Sequence, residues 1–327
     1  MNNIVYITDD NYIMPTAVSI TSLISNTEKA ISITVICSNP CENINCLRLL
    51  ESEKSRIRIV DVKDRYDFAS MRIDCTKSGH VTQAALLKFF IPEIIKDIDV
   101  VLFIDGDTII SRDINELFDI NLENDYIAAV RDIASLVSYD SYLERIKDIN
   151  TIDNITFNSG VMLMDLKKMR NESVASKLID KRKKYDDPLM DQCTLNHVLC
   201  GRWKELPLRY NFLTNLILKS DFDEFQSCYG IQERTYSDIL NDQSILHFAG
   251  MEKPWNFYVP YISELFEKYY YRSPYKDSKL EVPSLMAKWN KEHSELVELY
   301  HQLYKRTNWL RMPKNIIKNI FGKIELK

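Results

Sequence analysis

Two aspartates stand directly after an apolar run in the middle of the chain. Asp105 and Asp107 follow the segment VVLFI, and Gly106 between them permits tight backbone geometry. Because the run is typical of a buried strand, both carboxylates emerge at its end. Two carboxylates held together repel each other unless a cation compensates, and a divalent metal is such a cation. The pattern therefore predicts an oxygen-ligated metal site, with Mg²⁺ or Mn²⁺ as the ion.

The Asp-x-Asp pattern alone is weak evidence, because 27 aspartates in 327 residues produce about two such pairs by chance. Three pairs occur, at 97/99, 105/107 and 221/223, and only the middle pair ends an apolar run. Polar residues also mark three other predicted strand ends. They are Thr8-Asp9-Asp10-Asn11, Asn158-Ser159-Gly160 and His247 in SILHF. An imidazole added to carboxylates favours Mn²⁺ over Mg²⁺.

Glycine is scarce and scattered. The chain has 7 glycines, and no two of them lie within a Gly-x-Gly-x-x-Gly or P-loop spacing. A glycine-rich backbone nest for phosphate is therefore excluded. A carboxylate-held metal or basic side chains would have to bind a diphosphate and stabilise it as a leaving group. The predicted reaction is group transfer from a nucleotide-activated donor.

Composition and charge narrow the class further. The chain is 45% hydrophobic and 27% charged, without an apolar run of the roughly 20 residues that span a bilayer. No secretory signal is apparent, and seven cysteines without a Cys-x-x-Cys pair indicate reduced thiols, so we expect a cytoplasmic protein. The net charge of −5 divides into +6 over 305–327 and −11 over 1–304. Such an acidic body argues against nucleic-acid binding.

The basic end of the chain has a helical apolar stripe. From Pro313 onward, apolar residues recur at helical spacing, and lysines lie mostly on the other side. Two interpretations remain open, and both use the same stripe. The segment 305–327 could contact an anionic membrane surface at the inner face of the cell membrane, or it could pack on its own domain.

The remaining pattern predicts an α/β fold with a Rossmann-like, mostly parallel sheet flanked by helices. We expect one catalytic domain over 1–280 and a helical basic tail over 281–327. Ligands in such sheets lie beyond the carboxyl ends of the strands. The predicted strands are 3–8, 31–38, 56–62, 100–105, 126–130, 160–166, 203–206 and 244–248. The predicted helices are 13–26, 43–54, 83–96, 167–184, 190–200 and 257–271.

Several segments, in order, resemble glycosyltransferase family 8 over most of residues 1–260. They are IVYITDDNY, VLFIDGDTII, AAVRDIA, FNSGVMLMDLKKM, LMDQCTLN and LHFAGMEKPW. The resemblance implies a retaining, metal-dependent GT-A enzyme that uses a nucleotide sugar. It implies a UDP-sugar donor, with galactose or glucose as the sugar, and an acceptor hydroxyl on a glycan or a lipid-linked glycan.

The resemblance also implies a role for each matching residue. Asp105, Gly106 and Asp107 would bind Mn²⁺ and the diphosphate, with His247 as third protein ligand. Thr8, Asp9 and Asn11 would belong to the nucleotide site, with Asp9 and Asn11 at uracil or ribose. Gly250 and Lys253 would face the phosphates. Asn158, Asp191, Gln192 and Asp132 would surround the transferred sugar, and we assign Gln192 to stabilising its cationic form, since an amide is a poor nucleophile.

Two positions depart from the family pattern. Lys88 stands where the family usually has the arginine of Thr-Tyr-x-Arg. The planar, bidentate guanidinium is therefore replaced by an ammonium, which would still attract phosphate but would not bind it with two parallel hydrogen bonds. Cys193 stands where an acidic residue is frequent, which leaves the donor sugar open. Two other functions also remain open. One is a catalytically silent nucleotide-sugar or glycan-binding module, and the other is a haloacid-dehalogenase-like phosphotransferase with Asp105 as nucleophile.

Overall fold

In a computed structural model of the chain, the described residues form two β-sheets with helices around them. These residues are 1–38, 42–63, 65–66, 83–132, 143–144, 146–184, 190–214, 240–250, 253–257 and 261–280. The strands are β1 (Asn2–Thr8), β2 (Ile31–Cys37), β3 (Ser55–Asp61), β4 (Val100–Ile104), β5 (Thr108–Ile110), β6 (Ile127–Arg131), β7 (Phe157–Asp165), β8 (Trp203–Leu206), β9 (Phe212–Leu213) and β10 (Ile245–His247).

Within that part of the chain, seven strands form the larger sheet, in the order β3-β2-β1-β4-β7-β6-β8. Neighbouring strands are parallel except for β7, which runs antiparallel to both β4 and β6. The predicted mostly parallel sheet is confirmed. Since β7 is reversed, its first residues lie at the edge where β1 and β4 end.

The smaller sheet joins distant parts of the chain. Its order is β5-β10-β9, and β10 pairs antiparallel with β5 so that His247 lies opposite Thr108. Thr108 directly follows Asp107. This pairing brings a histidine from near residue 250 to the residues that follow β4.

Strand β4 is buried on both faces, which explains its unbroken apolar sequence. Leu102 and Ile104 pack into a cluster with residues of β1 and of helix α1 (Ile13–Asn26). Val101 and Phe103 pack on the other face with Phe89 and with Leu195 of helix α5 (Met190–Val198). Alternate side chains therefore anchor the strand from both sides and fix where its carboxyl end lies.

Several predicted helices are shorter or tighter than expected. The segments 43–54 and 83–96 are 3₁₀ helices at Glu42–Leu50 and Gln83–Phe90, the second followed by the short α2 (Ile91–Ile94). The segment 167–184 divides into α3 (Leu166–Asn171) and α4 (Val174–Lys184), because Ser173 has a left-handed φ of 53°. The last described helix is α6 (Ile262–Tyr270), and further 3₁₀ turns are Asn115–Asp119 and Leu208–Tyr210.

Met1–Lys253 and Glu264–Lys279 form one compact unit that contains both sheets. Among the described residues, no helix combines the length and apolar character needed to cross a membrane. The predicted tail over 281–327 lies outside the described residues, so both the domain boundary and the tail helix stay predictions.

Candidate active site

Asp105, Asp107 and His247 converge beyond the carboxyl end of β4. One potential ligand atom from each residue lies within 4.8 Å of those of the other two. His247 Nε2 is 3.4 Å from Asp107 Oδ1 and 3.9 Å from Asp105 Oδ2. The pairing of β10 with β5 produces this proximity across 140 positions of sequence. Two carboxylates and an imidazole are a donor set that suits a divalent cation.

Backbone hydrogen bonds and close packing at two glycines hold Asp105–Asp107 in place. Asp105 N donates to Gly160 O at 2.8 Å, and Phe248 N donates to Asp107 O at 2.9 Å. A Cβ added to Gly160 would lie 2.3 Å from His247 Cε1, so only glycine lets the imidazole approach β7 this closely. A Cβ on Gly106 would likewise lie 2.3 Å from Thr16 Oγ1 of α1.

Asp107 is paired with a buried lysine. Lys253 Nζ donates to Asp107 Oδ2 at 2.5 Å and to the carbonyl oxygen of Phe248 at 2.6 Å. Burial disfavours the charged form of Asp107, but the pKa of Asp107 is held below its usual range, and the ammonium of Lys253 is the largest cause of this lowering. Tyr12 lies beside this pair, and burial together with the charge of Asp107 raises the pKa of Tyr12 to about 12.

Lys88 bridges the second aspartate to the neighbouring helix. Its Nζ is 2.9 Å from Asp191 Oδ2, 3.1 Å from Asp105 Oδ1 and 3.4 Å from Ser159 Oγ. Burial opposes the charge of Lys88, but the two carboxylates more than compensate and raise the pKa of the ammonium. Burial also raises the pKa of Asp105 to about 6, although Lys88 counteracts this change. The lysine predicted to attract phosphate thus lies between two carboxylates.

The residues predicted to surround the sugar form a hydrogen-bonded row. Gln192 Nε2 donates to Asp132 Oδ2 at 2.9 Å. Gln192 Oε1 accepts from Asn158 Nδ2 at 3.1 Å and from Ser159 N at 3.2 Å. Ser159 Oγ donates to Asp191 Oδ2 at 2.8 Å. The first residues of β7 therefore position two side chains of α5.

A cavity of about 240 Å³ joins these groups. Gly250, with a φ of 95°, lies at its wall in a conformation that favours glycine. Among the predicted site residues, those that line the cavity are Thr8, Asp9, Lys88, Asp105, Gly106, Asp107, Asn158, Asp191, Gln192, His247, Gly250 and Lys253.

Two predicted residues do not line the cavity. Asp132 is buried and reaches the site through Gln192. Asn11 contributes its backbone N–H to Asp9 Oδ1 at 3.0 Å, so this carboxylate braces the turn before α1. The prediction omitted Tyr12 and Ser159, which also line the cavity. Both neighbour predicted residues in sequence, and that adjacency is a signal that could have found them.

Comparisons with known proteins agree with this architecture. The model of glycosyl transferase family 8 matches residues 3–258. General stress protein A of Bacillus subtilis (strain 168) is 28% identical over an alignment of 269 residues, and the match covers 78% of this chain and 87% of that protein. A lipopolysaccharide 1,2-glucosyltransferase of Escherichia coli is 29% identical over 219 residues. This match covers 64% of this chain and 58% of the relative.

A solved structure shares the fold. The galactosyltransferase LgtC, in complex with donor and acceptor sugar analogues, superposes with a TM-score of 0.66 at 22% sequence identity, covering 83% of this chain and 96% of that one. The mostly parallel sheet with its flanking helices is therefore the GT-A glycosyltransferase fold. The chain belongs to glycosyl transferase family 8 and is a glycosyltransferase, which decides against the phosphotransferase alternative.

Proposed function

We propose that this enzyme transfers a hexose, galactose or glucose, from a UDP-sugar to a hydroxyl of a glycan or glycolipid acceptor, with retention at the anomeric carbon and with Mn²⁺ preferred over Mg²⁺. The observation that carries the proposal is the convergence of Asp105, Asp107 and His247 in one cavity with Lys253. Two carboxylates and an imidazole form a donor set that suits a divalent cation, and the sequence has no glycine-rich motif that could bind a phosphate in its place.

The donor set fits a divalent metal. Asp105, Asp107 and His247 would hold it, and when bound it supplies positive charge to a departing diphosphate. The nitrogen ligand supports Mn²⁺ as the preferred ion. Lys253, whose ammonium lies in the same cavity as the carboxylates, would attract a phosphate oxygen. Thr8, Asp9, Asn11 and Tyr12 lie in or beside the loop after β1 and would contact the nucleotide.

The row at the start of α5 would surround the sugar. The two lone pairs of Gln192 Oε1 already accept from Asn158 Nδ2 and Ser159 N, which disfavours covalent attack by this amide. In the transfer, the bond from C1 to the phosphate oxygen breaks, and a bond forms from C1 to the acceptor oxygen on the same face. The acceptor proton leaves with the diphosphate. Asp132 orients Gln192, and the dipole of its amide stabilises positive charge on the sugar.

The acceptor class is argued from the name of a relative and from the charge of the last residues. The name of the Escherichia coli relative, a lipopolysaccharide 1,2-glucosyltransferase, favours a lipopolysaccharide-type or other lipid-linked glycan. The segment 305–327 carries a net charge of +6, which suits peripheral contact with an anionic membrane from the cytoplasm. This acceptor would be reached at the inner face of the cell membrane.

The experiment is a screen of UDP-glucose, UDP-galactose and other UDP-sugars for hydrolysis without an acceptor. We expect UDP release with Mn²⁺, less release with Mg²⁺ and none with EDTA, and we expect His247→Ala to abolish the Mn²⁺-dependent rate. Undiminished hydrolysis in EDTA would reject the metal assignment. Binding of a UDP-sugar without any turnover would instead support the silent binding module.

A further inference from the structure

Asn211 connects the two halves of the site, although no motif in the sequence singles it out. It directly precedes β9, is 1% exposed, and its side-chain amide lies between β7 and β10. Its Nδ2 donates to Asn158 Oδ1 at 2.8 Å, and its Oδ1 lies 2.9 Å from His247 Nδ1. The amide thus touches one residue assigned to the sugar and one assigned to the metal.

The orientation of this amide follows from a backbone donor. Gly160 N can only donate, and it donates to an Asn158 side-chain atom at 2.9 Å, so that atom is the oxygen Oδ1. The same oxygen faces Asn211, so Asn211 must present its NH₂ group there. Its oxygen then faces His247, and Nδ1 must carry the proton that this oxygen accepts. In the neutral imidazole, Nε2 is left with its lone pair.

That lone pair faces the carboxylates. Nε2 lies on the side of Asp107 Oδ1 and Asp105 Oδ2, where a metal would bind. A histidine ligand must offer a lone pair to the metal, and a hydrogen bond to its other nitrogen fixes the tautomer and the ring orientation. Without that hydrogen bond, nothing would select the tautomer whose lone pair lies on Nε2.

We propose that Asn211 is a positioning residue that holds His247 as the Nδ1–H tautomer, so that Nε2 is ready to bind a divalent cation. The tautomer is inferred only from the hydrogen bonds among Gly160, Asn158, Asn211 and His247. Its consequence for metal binding rests on the proposed function. Through Asn158, the same amide connects His247 to Gln192, so one continuous chain of hydrogen bonds joins both halves of the site.

The first test reads the tautomer without metal. Long-range ¹H–¹⁵N NMR spectra of the full chain in EDTA, at about pH 8 where an ordinary imidazole is neutral, report which nitrogen carries the proton. The His247 signals are assigned from their loss in His247→Ala. We expect Nδ1–H in the wild type. We expect the proton to move to Nε2 in Asn211→Ala. A wild-type His247 protonated on Nε2 would overturn the proposal outright.

The second test measures Mn²⁺ affinity from the electron paramagnetic resonance signal of free Mn²⁺. We expect Asn211→Ala to bind about 10- to 100-fold more weakly than the wild type. Asn115→Ala is the control, since Asn115 is also buried but bonds to Asn2, Thr27 and Asp113, away from the cavity. Equal affinity in the wild type and Asn211→Ala would refute the proposed role. No Mn²⁺ binding by the wild type would instead refute the metal site and leave the tautomer to the first test.

Discussion

The two ends of β4 carry the same motif in different surroundings. Asp97 and Asp99 precede the strand, and their side chains are both 62% exposed. Asp105 and Asp107 follow it, and theirs are 27% and 11% exposed. The partners differ in the same way. Arg58, the partner of Asp97, is 45% exposed, whereas Lys88 and Lys253 at the other end are 5% and 9% exposed.

This difference shows that the Asp-x-Asp pattern gains meaning from its position relative to strand direction. At the amino end of β4 the charges are solvated, and exposed ion pairs contribute little free energy. At the carboxyl end the same residue type is withdrawn from water, so every neighbouring charge acts strongly. Burial raises the pKa of Asp105, whereas the ammonium of Lys253 outweighs burial at Asp107 and the pKa of Asp107 is lowered.

The largest expected effect comes from removing one carboxylate charge at each end. Asp107→Asn should lower Mn²⁺-dependent transfer or hydrolysis by about 1,000-fold, because it removes a metal ligand and the partner of Lys253. Asp99→Asn, the matched change before β4, should leave the rate within about twofold of wild type. Initial rates of UDP release, with melting curves to confirm folding, measure both. Similar losses in the two variants would erase the contrast between the strand ends.

Much of this contrast was available from the sequence. An unbroken apolar run predicts a strand buried on both faces, and strand direction then places Asp105 and Asp107 at the ligand-binding edge. The convergence of His247 and Lys253 followed from the family resemblance and not from spacing, since it depends on the pairing of β10 with β5. Composition and periodicity contain no information on which short strands pair across more than a hundred residues.

The parts that could not be predicted share a physical cause. The reversed direction of β7 and the role of Asn211 depend on tertiary contacts, because a buried asparagine amide looks like any turn or cap residue in sequence. The break between α3 and α4 falls at Ser173, whose left-handed φ has no strong local signal. The ion pairs of Lys88 with Asp191 and Asp105 also could not be predicted, because they form only when distant segments fold together, and the assignment of Lys88 to phosphate stays a prediction.

Removing one cationic partner at each end of β4 tests whether the buried ion pairs contribute more to stability than the exposed ones. Lys88→Met should lower the free energy of unfolding by about 3 kcal/mol, because it leaves Asp105 and Asp191 without their buried cation. Arg58→Met removes the exposed partner of Asp97 and should cost less than about 1 kcal/mol. Urea unfolding in EDTA measures both values. If Lys88→Met were as stable as Arg58→Met, burial would not strengthen the pairs after β4.

The close packing after β4 predicts a smaller effect on metal binding. Gly160→Ala places a Cβ within 2.3 Å of His247 Cε1, so the ring must move and Mn²⁺ affinity should fall by about 10- to 100-fold. Gly201→Ala is the control, since its φ of 70° strains any side chain but its added Cβ meets only Ile152 at 3.2 Å. Mn²⁺ titration measures the loss of affinity, and a melting curve measures the loss of stability that a strained glycine substitution causes. Undisturbed affinity in Gly160→Ala would show that the imidazole has room to shift.

The smallest expected effect is a pH dependence confined to the buried end. Burial raises the pKa of Asp105 from 3.8 to about 6. A carboxyl whose pKa is higher in the folded than in the unfolded state binds its proton more tightly when folded, so its contribution to stability falls as pH rises from about 4 to about 6 and then levels off.

Asp105→Asn lacks this titration. In EDTA, the variant should therefore gain about 1–2 kcal/mol relative to wild type between about pH 4 and about pH 7, a value reduced from that of a fully buried group because Asp105 is 27% exposed. Urea unfolding at both pH values measures it, and Asp99→Asn gives the baseline for a solvated aspartate next to the same strand. A stability difference between Asp105→Asn and wild type that stays constant across this range would mean that solvent reaches Asp105 as freely as it reaches Asp99. The contrast between the two ends of β4 would then rest on Asp107 alone.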